Sequence, residues 1–136
     1  MEAMQFDPYC SLQIHAEKAI DEVAETLASS LEAVNNVNSI TSNTFFAVIN
    51  RNMLYDEDKF IKEHDFSSSR YTASIEPATK DVDFDMYVNR LCEAIIALRG
   101  EGFLVAAACE YEDLVKKKTG WNWSEDDKIH PAADGD

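Results

Sequence analysis

Arg70-Tyr71-Thr72-Ala73-Ser74-Ile75-Glu76 alternates apolar and polar side chains without a break, and Pro77 closes it. Tyr71, Ala73 and Ile75 fall on one side and Arg70, Thr72, Ser74 and Glu76 on the other, the period-2 pattern of a strand with one wet face. The period then changes. Phe84, Tyr87, Val88, Leu91, Cys92, Ile95, Ile96 and Leu98 recur at helical spacing, with Asp81 or Asp83 as cap and Gly100 and Gly102 as stop. Phe103 to Tyr111 follows as a near-continuous apolar run of nine residues with Ala106, Ala107 and Ala108 inside it. Its length and flanking glycines predict a buried strand pressed closely by a helix, with helix as the alternative because alanine favours it.

Upstream, Asp7-Pro8 reads as a helix start, with Asp7 as N-cap and Pro8 at the first helical position. Leu12, Ala16, Ile20, Val23, Leu27, Leu31 and Val34 then recur every three or four residues, so the spacing predicts an amphipathic helix over 8–34, stopped by Asn35, Asn36 and Asn38. Thr44 to Asn50, aromatic and β-branched, predicts a central strand. Tyr55 to His64 predicts a short helix or an ordered loop, punctuated by Ser67-Ser68-Ser69. A fourth strand has room in residues 36–42 or around Trp121.

The expected fold is therefore α+β and two-layered: a small three- or four-stranded sheet with two main helices on one face. If the strands flanking the second helix are parallel neighbours, their crossover is right-handed. Residues 1–123 are expected to form a single compact domain. Residues 124–136, with Glu125, Asp126, Asp127, Asp134 and Asp136 against Lys128, are expected to form an acidic, flexible C-terminal tail.

Twenty-six Asp and Glu against twelve Lys and Arg give a formal charge of −14 and a pI near 4.4. That surplus repels nucleic acid and anionic membrane and speeds encounter with a basic protein. No apolar stretch approaches the roughly 18 residues that a membrane span requires, and Met1 to Tyr9 lacks the basic-then-apolar order of a secretory signal. Cys10, Cys92 and Cys109 have no metal-type spacing; free thiols in a reducing cytoplasm are the expectation, with a redox role, centred on Cys10, as the alternative.

Glu110-Tyr111-Glu112-Asp113, followed by Trp121 and Trp123, is the most distinctive passage for chemistry. Continued alternation would send Glu110 and Glu112 to one face and Tyr111 and Asp113 to the other, and would send the two indoles to opposite sides, one buried and one exposed. Paired carboxylates suit acid and base work when one pKa is raised. No phosphate loop, nucleophile elbow or His-based ligand set accompanies them, so no catalytic residue, metal site or cofactor is expected. His15, His64 and His130 are far apart and are expected to be solvated or locally bonded. Trp and Tyr are the residues of interface hot spots, so Glu110, Tyr111, Glu112, Asp113, Trp121 and Trp123 are the predicted partner-binding set.

In size, acidity, α+β order and the segment from Gly102-Phe103-Leu104-Val105 through Cys109-Glu110-Tyr111-Glu112-Asp113 to Thr119-Gly120-Trp121-Asn122-Trp123, the chain resembles the small acidic immunity proteins of bacterial polymorphic or contact-delivered toxin systems. The resemblance implies a cytoplasmic, non-catalytic protein that binds a basic toxin domain and occupies its active-site region. Two alternatives stand beside it. One is a phage-type inhibitor or DNA mimic acting on a host defence nuclease, which Lys116, Lys117 and Lys118 disfavour by interrupting the acids. The other is a small ligand-binding or enzyme domain using Glu110, Glu112 and the polar strand face around Arg70. A homodimer through one helix is a further possibility.

Overall fold

The computed structural model describes residues 7–63 and 65–123. Their elements run β1 (Cys10–His15), α1 (Ile20–Ser30), β2 (Val34–Asn36), β3 (Ser39–Thr41), β4 (Phe45–Arg51), α2 (Glu57–Glu63), a 3-10 turn at Phe66–Ser68, β5 (Tyr71–Pro77), α3 (Phe84–Gly100), β6 (Leu104–Cys109) and α4 (Glu112–Thr119). The class is α+β. The sheet, however, has six strands instead of three or four, in the order β2-β3-β4-β5-β1-β6, and every neighbouring pair is antiparallel. Because β1 lies between β5 and β6, the strands flanking α3 are not neighbours.

The N-terminal helix over 8–34 is corrected most. Cys10, Leu12 and Ile14 are wholly buried while Ser11 and Gln13 are only half-buried, so this stretch obeys the period of a strand. Leu12 and Ala16, four apart, fit the helical period by coincidence. Asp7 and Pro8 start no helix; the Pro8 carbonyl accepts hydrogen bonds from the Tyr87 hydroxyl at 2.8 Å and the Tyr111 hydroxyl at 2.7 Å, anchoring the entry to β1. α1 ends in a hydrogen-bonded turn, Glu32 N–H to Ser29 and Ala33 N–H to Ala28, with Glu32 at φ +55° in the place glycine usually takes. Without that glycine the stop is silent in the sequence. Asn35 and Asn36 then belong to β2 and Asn38 to the β2–β3 turn.

One face of the sheet, built from Leu12, Ile14, Phe45, Ala47, Ile49, Ala73, Ile75, Val105 and Ala107, packs on Val23 and Leu27 of α1 and on Tyr87, Leu91, Ile95 and Leu98 of α3. Each buried Val, Leu, Ile or Phe among them contributes about 1.5–3 kcal/mol. Asp83 starts α3 by accepting from the Met86 N–H at 2.9 Å, a cap worth about 1 kcal/mol. Gly120, at φ +100°, ends α4 in a conformation that a Cβ would oppose.

The other face is covered at one end only. There Phe60 of α2, Phe66 and Trp123 pack over Ala106, with Leu104 and Trp121 alongside. Strand alternation leaves Ser11, Gln13, Asn50, Thr72 and Ser74 on the same side of the sheet, polar and half-buried or exposed. α1 and α3 thus share one face as expected, and α2 lies on the opposite one. β6 is an edge strand whose outward groups are answered by side chains: Arg99 donates to the Val105 carbonyl through Nε at 3.1 Å and Nη2 at 2.7 Å, Asn122 brackets Ala107, and Glu112 accepts from the Cys109 N–H.

Candidate functional site

The segment singled out by sequence is divided by the fold. β6 stops at Cys109, so alternation does not carry through: Glu110 sits in a turn, and Glu112 and Asp113 open α4. Glu110 is exposed and accepts from the Asp7 N–H at 3.1 Å. Glu112 is half-buried and accepts from the Cys109 N–H at 3.2 Å; burial pushes its carboxyl upward from the usual range. Asp113 is exposed. Tyr111 lies in the main core, edge-on to Phe84 with centroids 5.5 Å apart. Trp121 is half-buried with the Arg99 guanidinium 3.7 Å above its ring, and Trp123 is buried against Phe66 at 5.8 Å. The indoles therefore belong to the smaller cluster on the face opposite the main core, and the six residues do not share one surface.

A different set of carboxylates does share one. Three adjoining depressions run along α1 and meet the C-terminal end of α3, with Glu101 in all three. Glu17, Asp21, Glu22, Glu25, Glu32 and Glu101 line them, with Lys18 as the basic side chain among them and Phe103 as buried floor. Helical spacing puts Asp21, Glu22 and Glu25 on the outer side of α1, because Val23, Ala24, Leu27 and Ala28 are buried under the sheet, and Glu32 follows in the turn that ends the helix. Glu32 meets Arg90 at 3.1 Å; among the described residues Glu17, Asp21, Glu22, Glu25 and Glu101 form no ion pair. Carboxylates gathered along one groove, with Lys18 the one lysine among them, raise the local negative potential. In the sequence Asp21 and Glu101 are far apart, and only the packing of α1 against α3 unites them.

The second polar constellation surrounds His15, which β1 turns toward α2. Its Nδ1 accepts from the Arg70 N–H at 3.2 Å, which places the ring proton on Nε2, and Nε2 donates to Glu57 Oε1 at 3.2 Å. The same Oε1 accepts from the Tyr55 hydroxyl at 2.6 Å, and that hydroxyl accepts from Arg70 Nη2 at 2.9 Å. Phe60 stacks on the imidazole at 3.9 Å. Burial holds His15 below its ordinary pKa despite Glu57 beside it, while the Tyr55 hydrogen bond holds Glu57 low. His15 spends both nitrogens internally, so it bridges β1, β5 and α2 and offers no lone pair to a substrate. Sequence reading expected a solvated or locally bonded histidine on a helix; the missed signal was the period of β1, which sends His15 to the face opposite Ile14, where it is bonded to Arg70 and Glu57.

Among the described residues no three His, Cys, Asp or Glu side chains gather to hold a metal ion, and no helix is long and apolar enough to cross a membrane. His64, His130 and the predicted tail over 124–136 lie outside the described residues. No protein family, curated protein or solved structure matches this chain.

Proposed function

We propose that this protein is a non-catalytic binding protein that presents the acidic groove between α1 and the end of α3 to a basic protein. An immunity-type inhibitor seated over the cationic active-site cleft of a toxin is the form of this function that best uses such a surface, and the bacterial cytoplasm is where it would act. The observation that carries the reading is the row of carboxylates Glu17, Asp21, Glu22, Glu25 and Glu101, gathered along α1, the bend before it and the end of α3, with no ion-pair partner among the described residues. Fixed anions on a rigid scaffold can occupy phosphate positions in a cationic cleft, and they steer encounter over distances that contacts do not reach. In this proposal the groove takes over the role that sequence reading gave to Glu110, Tyr111, Glu112, Asp113, Trp121 and Trp123.

The test is to mix the purified protein with the product of the adjacent gene at low and high salt. A complex whose association slows with salt supports the reading. Neutralising the groove in one variant, Asp21→Asn with Glu22→Gln, Glu25→Gln and Glu101→Gln, should slow association by about tenfold or more. A tight complex indifferent to salt and to this variant removes the groove from the interface; no protein partner together with turnover of a small molecule overturns the function.

A further inference from the structure

The three cysteines are distant in sequence, and the fold brings two of them face to face. Cys10 on β1 and Cys109 on β6 are direct register partners, with both side chains on the core side of the sheet. The edge of β6 defines what kind of pair this is. Ala107 turns its N–H and C=O outward to Asn122, and Cys109 turns its N–H outward to Glu112. Residues of that parity exchange no hydrogen bonds with β1, so Cys10 and Cys109 form a non-hydrogen-bonded pair. Such pairs are the closer kind, about 4.5 Å between Cα atoms, within the range of about 4.4–6.8 Å in which disulfides form.

The two thiols are not equivalent. Cys10 is wholly buried, whereas Cys109 is half-buried at the end of the edge strand. The Cys10 thiol and the Tyr111 N–H both direct hydrogen bonds at the Cys109 sulfur, favouring its thiolate against the opposing effects of burial and Glu112. Cys10 is driven the other way, well above its ordinary range, by its hydrogen bond to Cys109 and by burial. A half-buried outer sulfur in register with a wholly buried inner one is the arrangement of an attacking and a resolving cysteine. Cys92, on α3, is buried and burial pushes its thiol up to about 11, so it is the unreactive member of the set.

We infer that Cys10 and Cys109 are a reversible dithiol site for hydroperoxides, oxidised to a disulfide that staples β1 to β6. The Cys109 thiolate attacks the terminal peroxide oxygen; the O–O bond breaks, the leaving alkoxide or hydroxide takes a proton, and Cys109 becomes a sulfenic acid. The Cys10 sulfur then attacks the Cys109 sulfur, the S–O bond breaks, and the sulfenic hydroxyl leaves as water with the Cys10 proton. Two thiols and one hydroperoxide give one disulfide, one alcohol or water, and one water. A dithiol reductant reverses the oxidation by thiol–disulfide exchange. This inference is independent of the proposed partner.

The test uses the full chain and hydrogen peroxide. Reduced protein should titrate three thiols when denatured, matching its three cysteines. After stoichiometric peroxide it should titrate one, lose two hydrogen masses, and yield a linked peptide pair containing Cys10 and Cys109; a dithiol reductant should restore all three. Cys92→Ser should form the same link, and Cys109→Ser should retain its remaining thiols under the same dose. Should Cys109→Ser fail to fold, the peptide map of the unsubstituted protein and of Cys92→Ser still decides. Three thiols surviving a dose that oxidises a small-molecule dithiol, a link through Cys92, or a link between chains would each overturn the inference.

Discussion

Asn122 lies against Ala107 as a one-residue substitute for a seventh strand: Oδ1 accepts from the Ala107 N–H at 2.8 Å, and Nδ2 donates to the Ala107 carbonyl at 2.9 Å. An amide side chain reproduces the donor and acceptor of a peptide unit, so it can close a ladder without extending it. Arg99 on Val105 and Glu112 on Cys109 continue the closure on either side. An open edge strand is a template for pairing with another chain, and here the template is occupied.

Asn122→Ala should therefore do two things at once. It strands a buried N–H and C=O on Ala107, costing about 1–3 kcal/mol for each group that water does not reach, and it reopens the edge. Urea unfolding should show a lower midpoint, and sedimentation should show concentration-dependent association absent from the unsubstituted protein. Unchanged stability and a strictly monomeric variant would remove Asn122 from this role.

His15 sets a pH window. Its folded pKa lies below the ordinary value of 6.5, with burial as the largest cause, so the unfolded chain binds the proton more readily. Stability from the neutral ring is fully present above pH 6.5 and is lost as pH falls through the lower folded value. Protonation puts a second N–H on Nδ1, facing the Arg70 N–H that it now accepts. Denaturant midpoints measured from neutral toward mildly acid pH should fall, and His15→Gln should flatten that part of the slope. Equal slopes in the two proteins would assign the acid sensitivity to other groups.

What could be read in advance follows from how each signal is encoded. β5, α3 and β6 carry uninterrupted periods bounded by Pro77, Asp83 and Gly102, and they stand within a residue or two of expectation. β1 was hidden because Leu12 and Ala16 satisfy both periods and Glu32 stands where a glycine would have announced the end of α1. The acidic groove was not legible, since Asp21 and Glu101 become neighbours only when α1 packs on α3. The indoles were half legible: one more buried than the other, but on a face that keeps them from the acids of α4.

Charge crowding in that groove has a signature that needs no partner. Asp21, Glu22, Glu25 and Glu101 line one depression and form no ion pair among the described residues, and repulsion between like charges gathered there is screened by salt. Raising sodium chloride should raise the melting temperature, and the fourfold groove variant should melt higher in low salt and respond less. A melting temperature independent of salt would mean that the carboxylates are too far apart to matter.

Trp123 and Trp121 should separate stability from binding. Trp123 is 7% exposed against Phe66 and over Ala106, so Trp123→Ala should cost about 3–5 kcal/mol in unfolding experiments. Trp121 is half-buried under Arg99, and Trp121→Ala should cost less, about 1–2 kcal/mol, through the lost cation–π contact and stem packing. Equal costs would contradict the division between an inner and an outer indole.

The β2–β3 hairpin offers a gain in place of a loss. Asn36 pairs with Ser39, so Val37 and Asn38 form a two-residue loop, and their φ values of +51° and +69° are those of a type I′ turn. Asn38 suits the left-handed region; Val37 does not, because its branched Cβ crowds the backbone there at a cost of about 1–2 kcal/mol. Val37 is 89% exposed, so packing does not offset that cost. Val37→Asn should raise stability by about 0.5–1 kcal/mol, read as a higher urea midpoint with an unchanged slope, and Val37→Gly should gain less because glycine loses more freedom on folding. A lower midpoint for Val37→Asn would show that the valine side chain is held by contacts of its own, and the turn would then have to be read as a binding tip instead of a strained link.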